Sequence, residues 1–516
     1  MRIRFVRCFT FIVLSLMVAA CSKQVDSPTD NAPALNPVKT DGDAGSWKPI
    51  LLANVTDIVL SSPIATSSPD YIIQLNEVRS WQKKISDSDR DNVKYWSAGA
   101  VLRWNEIMRD LVAKYNLPPY QNPDGTYPAP SANNPLAYPL FPFANPPYAS
   151  RAYAYVAAAQ YDALVTAYHY KSVYNRKAPY DIDSSLNVMV SRSDLSSFPS
   201  EDGAVIGATV ELLKLLFPGE QDFIQKKAED HRRARLIAGA NVRSDIEAGE
   251  IIGRQVAERY TAKARTDRAG QAGGTPADWK KMEDICIAIG ETPWLSLELP
   301  KRPPMLAMYG KVKSLVLDSL TCVSLRPGPP PSVNSAQMKA ETEEIRSMVK
   351  NATREQIRTV HFWADGVATY TPAGHWNAIA ADDFISKGFS EVRWARNLAL
   401  LNIAMMDAGI ITWDTKMHYF NPRPSQMDPE IKTLTGLPNF PAYISGHSTF
   451  SSAAASVLGY ILPERAADYK AMALEASLSR MYGGIHFRSD CEVGLEVGEN
   501  IAAHIINRGR LDGSGN

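Results

Sequence analysis

Three short pieces in the last hundred residues of this 516-residue chain gather residue types suited to one kind of chemistry. Lys416 and Arg423 form the first, with Arg423 held between Pro422 and Pro424. The two prolines keep that stretch extended, which lowers the entropy cost of aiming the guanidinium. Ser445-Gly446-His447 forms the second and precedes an Ala- and Ser-rich run. Glycine there lets the backbone approach a ligand, and a helix N-terminus offers unpaired N–H groups. Arg480, Gly483-Gly484, His486 and Asp490 form the third. Three cations, a donor-rich turn, two histidines and a carboxylate suit a tetrahedral oxyanion such as phosphate, because Arg offers paired donors and Lys a point charge. One histidine can attack or ligate the central atom while the other moves protons. Asp490 can hold one His486 nitrogen as a donor and leave the other free.

The elements that must position these groups read as helices. A helix opening at Ser390 and ending near Trp413 places Lys416 just beyond its end, and residues 448–461 form a helix after Ser445-Gly446-His447. Gly483-Gly484 breaks the helix carrying Arg480, and Ser489-Asp490-Cys491-Glu492 reads as a capping box opening a last helix to about Asn507. Upstream, apolar residues recur at three- and four-residue spacing over 93–115 and 149–170. Ser200 caps a helix to Leu216, and shorter helices follow over 220–239, 243–264, 335–350 and 353–364. Alternating strand patterns are few, so the fold class is all-α, a helical bundle. Two proline-rich stretches, 118–147 and 300–331, are expected as ordered loop excursions packed on the helices.

The pattern Lys-x6-Arg-Pro, then Ser-Gly-His, then Ser-Arg-x5-His-x3-Asp resembles the signature of the phosphatidic acid phosphatase type 2/vanadium-dependent haloperoxidase superfamily. Every charged and histidine position is present and in order; Ile444 stands where the family usually has Pro. The signature spans 416–490, and a looser resemblance to the soluble, haloperoxidase-like branch runs from about 93 to 505. The resemblance implies that Lys416, Arg423 and Arg480 bind oxyanion oxygens, helped by Ser445 and the Gly446 N–H. It implies that His486 is either the apical vanadium ligand or a nucleophile forming a phosphohistidine, and that His447 is the acid/base. Phe440, in Phe-Pro-Ala-Tyr, is similar to the chloroperoxidase branch, and Trp413 is a candidate wall of the pocket. The segment His361-Phe362-Trp363-Ala364-Asp365-Gly366 resembles one whose aspartate pairs with an oxyanion-binding arginine, which here would join Asp365 to Arg480. His361, His375 and His418 read as structural histidines, as do His169, His231 and His504.

Arg2, Arg4 and Arg7, an apolar stretch over Phe9–Met17, and Val18-Ala19-Ala20-Cys21 resemble a bacterial lipoprotein signal cleaved before Cys21. That resemblance implies a lipid on Cys21 and a place in the bacterial cell envelope, with Ser22 fitting outer-membrane sorting. Residues 1–20 are then the signal and 21–48 a flexible tether, since Ser, Pro, Asp, Asn and Gly can bury little. An N-terminal helical region over 49–270 and a site-bearing helical domain over 271–510 complete the expected organisation. Cys286 and Cys322 are candidates to pair, with Cys491 free. The chain balances 55 basic against 55 acidic residues, which leaves no electrostatic footprint for a nucleic acid.

Three functions fit these readings. The first is a vanadium-dependent haloperoxidase that binds vanadate and oxidises halide with hydrogen peroxide. The second is an acid phosphatase acting on a phosphoester through the same residues, with no cofactor. The third is a helical ligand-binding lipoprotein without catalysis, which a separation of Lys416, Arg423, His447, Arg480 and His486 by more than ~10 Å would favour, since one oxyanion needs contacts near ~3 Å. Dimerisation is open on the sequence.

Overall fold

The computed structural model describes residues 29, 31–117, 145–298 and 301–515. In its N-terminal part the helices are α1 (Pro69–Lys83), α2 (Asp87–Ser97), α3 (Ala100–Tyr115), α4 (Pro146–Tyr174), α5 (Pro179–Ile182), α6 (Glu201–Leu216), α7 (Gln221–Ile237), α8 (Arg243–Ala264) and α9 (Pro276–Ala288). The C-terminal part has α10 (Ser319–Ser324), α11 (Ala336–Lys350), α12 (Arg354–Phe362), α13 (Thr371–Phe384), α14 (Glu391–Tyr419) and α15 (Pro424–Met427). It closes with α16 (Gly446–Ile461), α17 (Ala466–Tyr482) and α18 (Arg488–Arg510). No strand occurs among the described residues. The all-α expectation holds.

Two helices of 29 residues, α4 and α14, pack against each other at the centre. Both are buried on nearly every side, in keeping with their Ala-rich and Leu/Ile/Met-rich sequences. Helices α6 and α8 pack on one flank, and α16 with α17 and α18 on the other. One core cluster runs from Ala32 to Ile505 and draws on both sides of residue 270, so the expected boundary there does not separate two cores.

Local signals explain the helix ends. Ser200, Ser390 and Ser445 cap α6, α14 and α16 by accepting from the N–H groups of Gly203, Arg393 and Ser448. The expected 93–115 helix is split at Gly99, whose φ of +124° only glycine adopts freely. Helix α14 runs past Trp413 to Tyr419 and stops at Phe420, whose φ is +50°, just before Asn421-Pro422. Lys416 therefore lies inside the helix rather than after it. Helix α18 starts at Arg488, not beyond Ser489, because the Asp490 carboxylate caps the Phe487 N–H at 3.0 Å.

The tether expectation fails over residues 31–48. Asp41 is buried and accepts from Ser390 Oγ at 2.6 Å and Arg393 Nη2 at 2.7 Å, while Trp47 is buried beneath the Arg393 guanidinium. A few specific anchors outweigh a polar composition there. Cys21 and the signal region lie outside the described residues, as does the proline-rich stretch up to residue 144. The second proline-rich stretch, described from 301, packs as expected: Leu306, Ala307, Tyr309 and Val312 are buried. Cys286, Cys322 and Cys491 are all free thiols, so the candidate pair is not a disulfide. None of the helices among the described residues is long and apolar enough to cross a membrane.

Candidate active site

Where α14, α16, α17 and α18 meet, they carry Lys416, Ser445 to His447, Arg480 and Asp490 to one place. Helix α18 approaches α16 closely because a Cβ at Gly494 would meet the Ser445 carbonyl oxygen at 2.9 Å, and one at Gly498 the Thr449 carbonyl oxygen at 2.5 Å. The Ser445 N–H then donates to the Asp490 carbonyl oxygen at 2.9 Å, which ties the second sequence piece to the third. The first is tied in by Arg423, whose Nη1 donates to the Ile485 carbonyl at 2.7 Å and lies 3.1 Å from His486 Nε2.

That last contact fixes the state of His486. Arginine only donates, so His486 Nε2 must carry the lone pair and Nδ1 the proton. Nδ1 accordingly donates to Asp490 Oδ2 at 3.0 Å, and the same oxygen accepts from the Phe487 N–H at 3.0 Å. Asp490 is thus both helix cap and histidine orienter.

The three cations are buried, and apart from the Arg423 contact with His486 their hydrogen bonds go to neutral oxygens. Lys416 Nζ donates to the carbonyls of Pro441 at 2.9 Å and Ala442 at 2.7 Å. Arg423 also donates to the carbonyls of Phe440 at 3.0 Å and Pro441 at 3.3 Å. Arg480 donates to Ser479 Oγ at 3.0 Å and the Val360 carbonyl at 3.3 Å. Lysine has three donor hydrogens and arginine five, so each cation keeps capacity for a ligand. Burial pushes Arg480 down to about 10 and Arg423 down to about 9, with Arg480 adding to the effect on Arg423. Burial and then Arg423 hold Lys416 well below the usual lysine value. Burial and the neighbouring cations hold His486 and His447 well below the usual histidine range, and burial raises Asp490 to about 7.

Ser445 Oγ accepts from Ser448 N at 3.3 Å and Ser448 Oγ at 2.8 Å, so its own hydroxyl hydrogen remains for a ligand. The Gly446 N–H lies in the first turn of α16, where no carbonyl four residues back can pair it. Phe440 lies against two of the cations, its ring centroid 5.2 Å from Lys416 Nζ and 5.0 Å from the Arg423 guanidinium carbon. Trp413 backs Phe440 at 4.9 Å between ring centroids and donates through Nε1 to the Met305 carbonyl at 3.0 Å. Its position explains why the proline-rich 301–312 segment matters here. The peptide between Tyr443 and Ile444 is cis.

Asp365 departs from expectation. Its Oδ1 accepts from His375 Nδ1 at 3.0 Å and its Oδ2 faces His447 Nε2 at 3.7 Å, so it reaches Arg480 through charge rather than as a bonded pair. His375, expected as a structural histidine, instead holds this carboxylate; its sequence signal is its place near the start of a helix ten residues after Asp365. His418 instead meets the Arg326 guanidinium at 3.2 Å beside Asp414. His231 is buried between Asp202 and Trp104.

Residues 397–509 match the model of the PAP2 superfamily. That stretch is similar to the PAP2 superfamily domain. A bacterial vanadium-dependent iodoperoxidase structure is similar with a TM-score of 0.58 and 22% identity over 79% of this chain and 96% of that one. Apo-type bacterial vanadium-dependent chloroperoxidase is similar with a TM-score of 0.52 and 14% identity, over 72% of this chain and 95% of that one. The holo-type chloroperoxidase gives 0.52 and 13%, over 75% and 97%. At these identities the likeness is one of fold. No protein of curated function matches in sequence. The PAP2 domain holds every signature residue from Lys416 to Asp490. Within it, Arg423 and Asp490 contact His486 at 3.1 and 3.0 Å, and Lys416 and Arg423 both donate to the Pro441 carbonyl.

Proposed function

We propose that the PAP2 domain binds vanadate and that the chain oxidises halide with hydrogen peroxide. One observation carries this reading. Three buried cations, each bonded to neutral oxygens, act on His486 through their charge, with Arg423 3.1 Å from its Nε2. The two nearby carboxylates spend their hydrogen bonds on His486, the Phe487 N–H and His375. Buried charge needs a partner, and a tetrahedral oxyanion supplies it.

The residues present fit vanadate: Lys416, Arg423, Arg480, Ser445 and the Gly446 N–H would hold its oxygens, and His486 Nε2 would face its central atom. Bound there, vanadate would supply activation of hydrogen peroxide toward two-electron oxidation of a halide. Halide, hydrogen peroxide and one proton give hypohalous acid and water, and His447 is the group placed to carry that proton. The fixed cations stabilise negative charge with no reorganisation. We further propose that the chain is held at a bacterial envelope membrane by a lipid on Cys21, on the strength of its N-terminal sequence.

The same lone pair favours a second reading, acid phosphatase chemistry. His486 Nε2 would attack phosphorus, His447 would protonate the leaving oxygen, and water would then hydrolyse the phosphohistidine.

The deciding experiment adds vanadate to the purified protein and follows halogenation of a phenolic dye with hydrogen peroxide and iodide, bromide or chloride. Phosphoester hydrolysis is followed in parallel without vanadate. Halide-dependent, vanadate-dependent turnover is expected. Phosphoester turnover with no halogenation after vanadate loading would replace the first reading with the second.

A further inference from the structure

Asp365 lies between two imidazoles. Its Oδ1 accepts from His375 Nδ1 at 3.0 Å, and its Oδ2 faces His447 Nε2 at 3.7 Å. Asp365 Oδ2 and His447 Nε2 are both buried, and neither has a hydrogen-bond partner among the described residues. A small approach would join them. The loop that presents Asp365 is unusual: Asp365, Ala368 and Thr371 have φ of +44°, +62° and +68°, in the left-handed region that non-glycine residues seldom occupy. The His375 ring is also held. It stacks on Trp363 at 4.7 Å between centroids, with Phe362 edge-on at 5.1 Å and Tyr370 at 6.2 Å.

We propose that His375 is a positioning residue for the acid/base His447, acting through Asp365, so that two imidazoles share one carboxylate. The proposal deepens the reading of the PAP2 site as catalytic. It adds to the residues of the signature one that touches neither oxyanion nor substrate.

Donation from His375 Nδ1 fixes the Asp365 carboxylate and satisfies Oδ1, leaving Oδ2 to orient His447 and to stabilise its imidazolium when it takes a proton. A proton on His375 would cancel part of the Asp365 charge and so oppose a proton on His447. The other groups acting on His447 are Arg480 from α17 and Lys416 from α14, both cations that disfavour its charged form, and the Trp363 backbone, whose hydrogen bond favours it. Arg480 also faces Asp365, and Tyr370 flanks His375 with Arg109 over its ring. Removing the His375 N–H leaves Asp365 a less stabilised anion and hence a stronger acceptor. The His447 titration midpoint should therefore rise.

The test reads the apo protein, so it does not depend on whether vanadate or phosphate chemistry follows. In the wild-type chain labelled in its histidine rings, nitrogen NMR should show His375 as the Nδ1–H tautomer. The Nε2–H tautomer in its neutral form would overturn the proposal without any variant. His375→Phe keeps the ring that stacks on Trp363 but cannot donate. It should raise the His447 midpoint and lower kcat by roughly 10-fold. His375→Asn keeps a donor near Oδ1 and should restore most of the activity and the midpoint. The reverse ranking, with Phe like wild type and Asn impaired, would mean a packing role and would sink the idea. A failure of the enzymatic reading would remove the kcat comparison but leave the tautomer and midpoint results intact.

Discussion

Asp490 lies one helical turn beyond His486 and holds its Nδ1 at 3.0 Å with the same oxygen that caps α18. Orientation of the site's central histidine and the start of the last helix are thus one interaction. Asp490→Asn should keep much of the fold, since an amide oxygen still accepts from the Phe487 N–H. It should weaken vanadate binding and activity roughly 10- to 100-fold, the usual cost of losing an orienting partner. Asp490→Ala should add a loss of the helix cap worth about 1 kcal/mol. Thermal unfolding and vanadate titration of both variants separate the two roles; an Asn variant with wild-type affinity would mean that Asp490 serves the cap alone.

The depressed cations predict a pH dependence of anion binding. In the free protein burial holds Arg423 near about 9 and Arg480 near about 10. A bound anion stabilises their charged forms, so their values rise on binding and binding is linked to proton uptake. The arginine contribution to affinity is therefore full below these values and falls as pH rises from about 9 upward. Sulfate is the clean probe, because its own charge does not change over this range. Its affinity, measured by calorimetric titration, should fall by up to about tenfold per pH unit for each proton involved. Arg423→Met should abolish most of the binding; a flat profile between pH 8 and 11 would refute the linkage.

Much of this site is legible in sequence because its parts lie in three local pieces, each with its own stop or cap. Pro422 and Pro424 around Arg423, the serine cap at Ser445 and the glycine pair after Arg480 all mark where backbone must turn, and the structure turns there. The partners of Asp365 were not legible. They depend on a loop with three left-handed residues, and no residue type in it demands that conformation. Nor were the carbonyls of Val360, Phe440, Pro441 and Ala442 legible, because any residue supplies one. Residues 31–48 misled by composition: one buried aspartate and one buried tryptophan dock a segment whose average is polar.

The N-terminal reading predicts that Cys21→Ser moves the protein from the membrane fraction to the soluble one. Mass spectrometry of the wild-type protein should find an N-terminal peptide that begins at Cys21 and carries acyl chains. An N-terminus upstream of Cys21, or a wild-type partition for the Ser variant, would rule out the lipid anchor. Activity of the Ser variant should be unchanged, since the site begins hundreds of residues later.

Asp407 makes the opposite kind of prediction, a gain of stability from removing a charge. It lies in the middle of α14, fully buried, and its carboxylate oxygens have no hydrogen-bond partner among the described residues, although the Ser314 hydroxyl partly relieves it. Burial raises it to about 7. An acid whose folded value lies above its unfolded one loses stability as pH rises from the unfolded value to the folded one, and the loss persists at higher pH. The cost begins near pH 4, grows as pH rises, and is complete above about 7. Asp407→Asn removes it, so the variant should be more stable than the parent at pH 8 by about 2–4 kcal/mol and by less at pH 5. Denaturant unfolding at both pH values measures this directly. A parent as stable as the variant at pH 8 would mean that Asp407 has found a partner that its ionised form keeps, such as a bound cation or water, and would make the interior of α14 a second polar site.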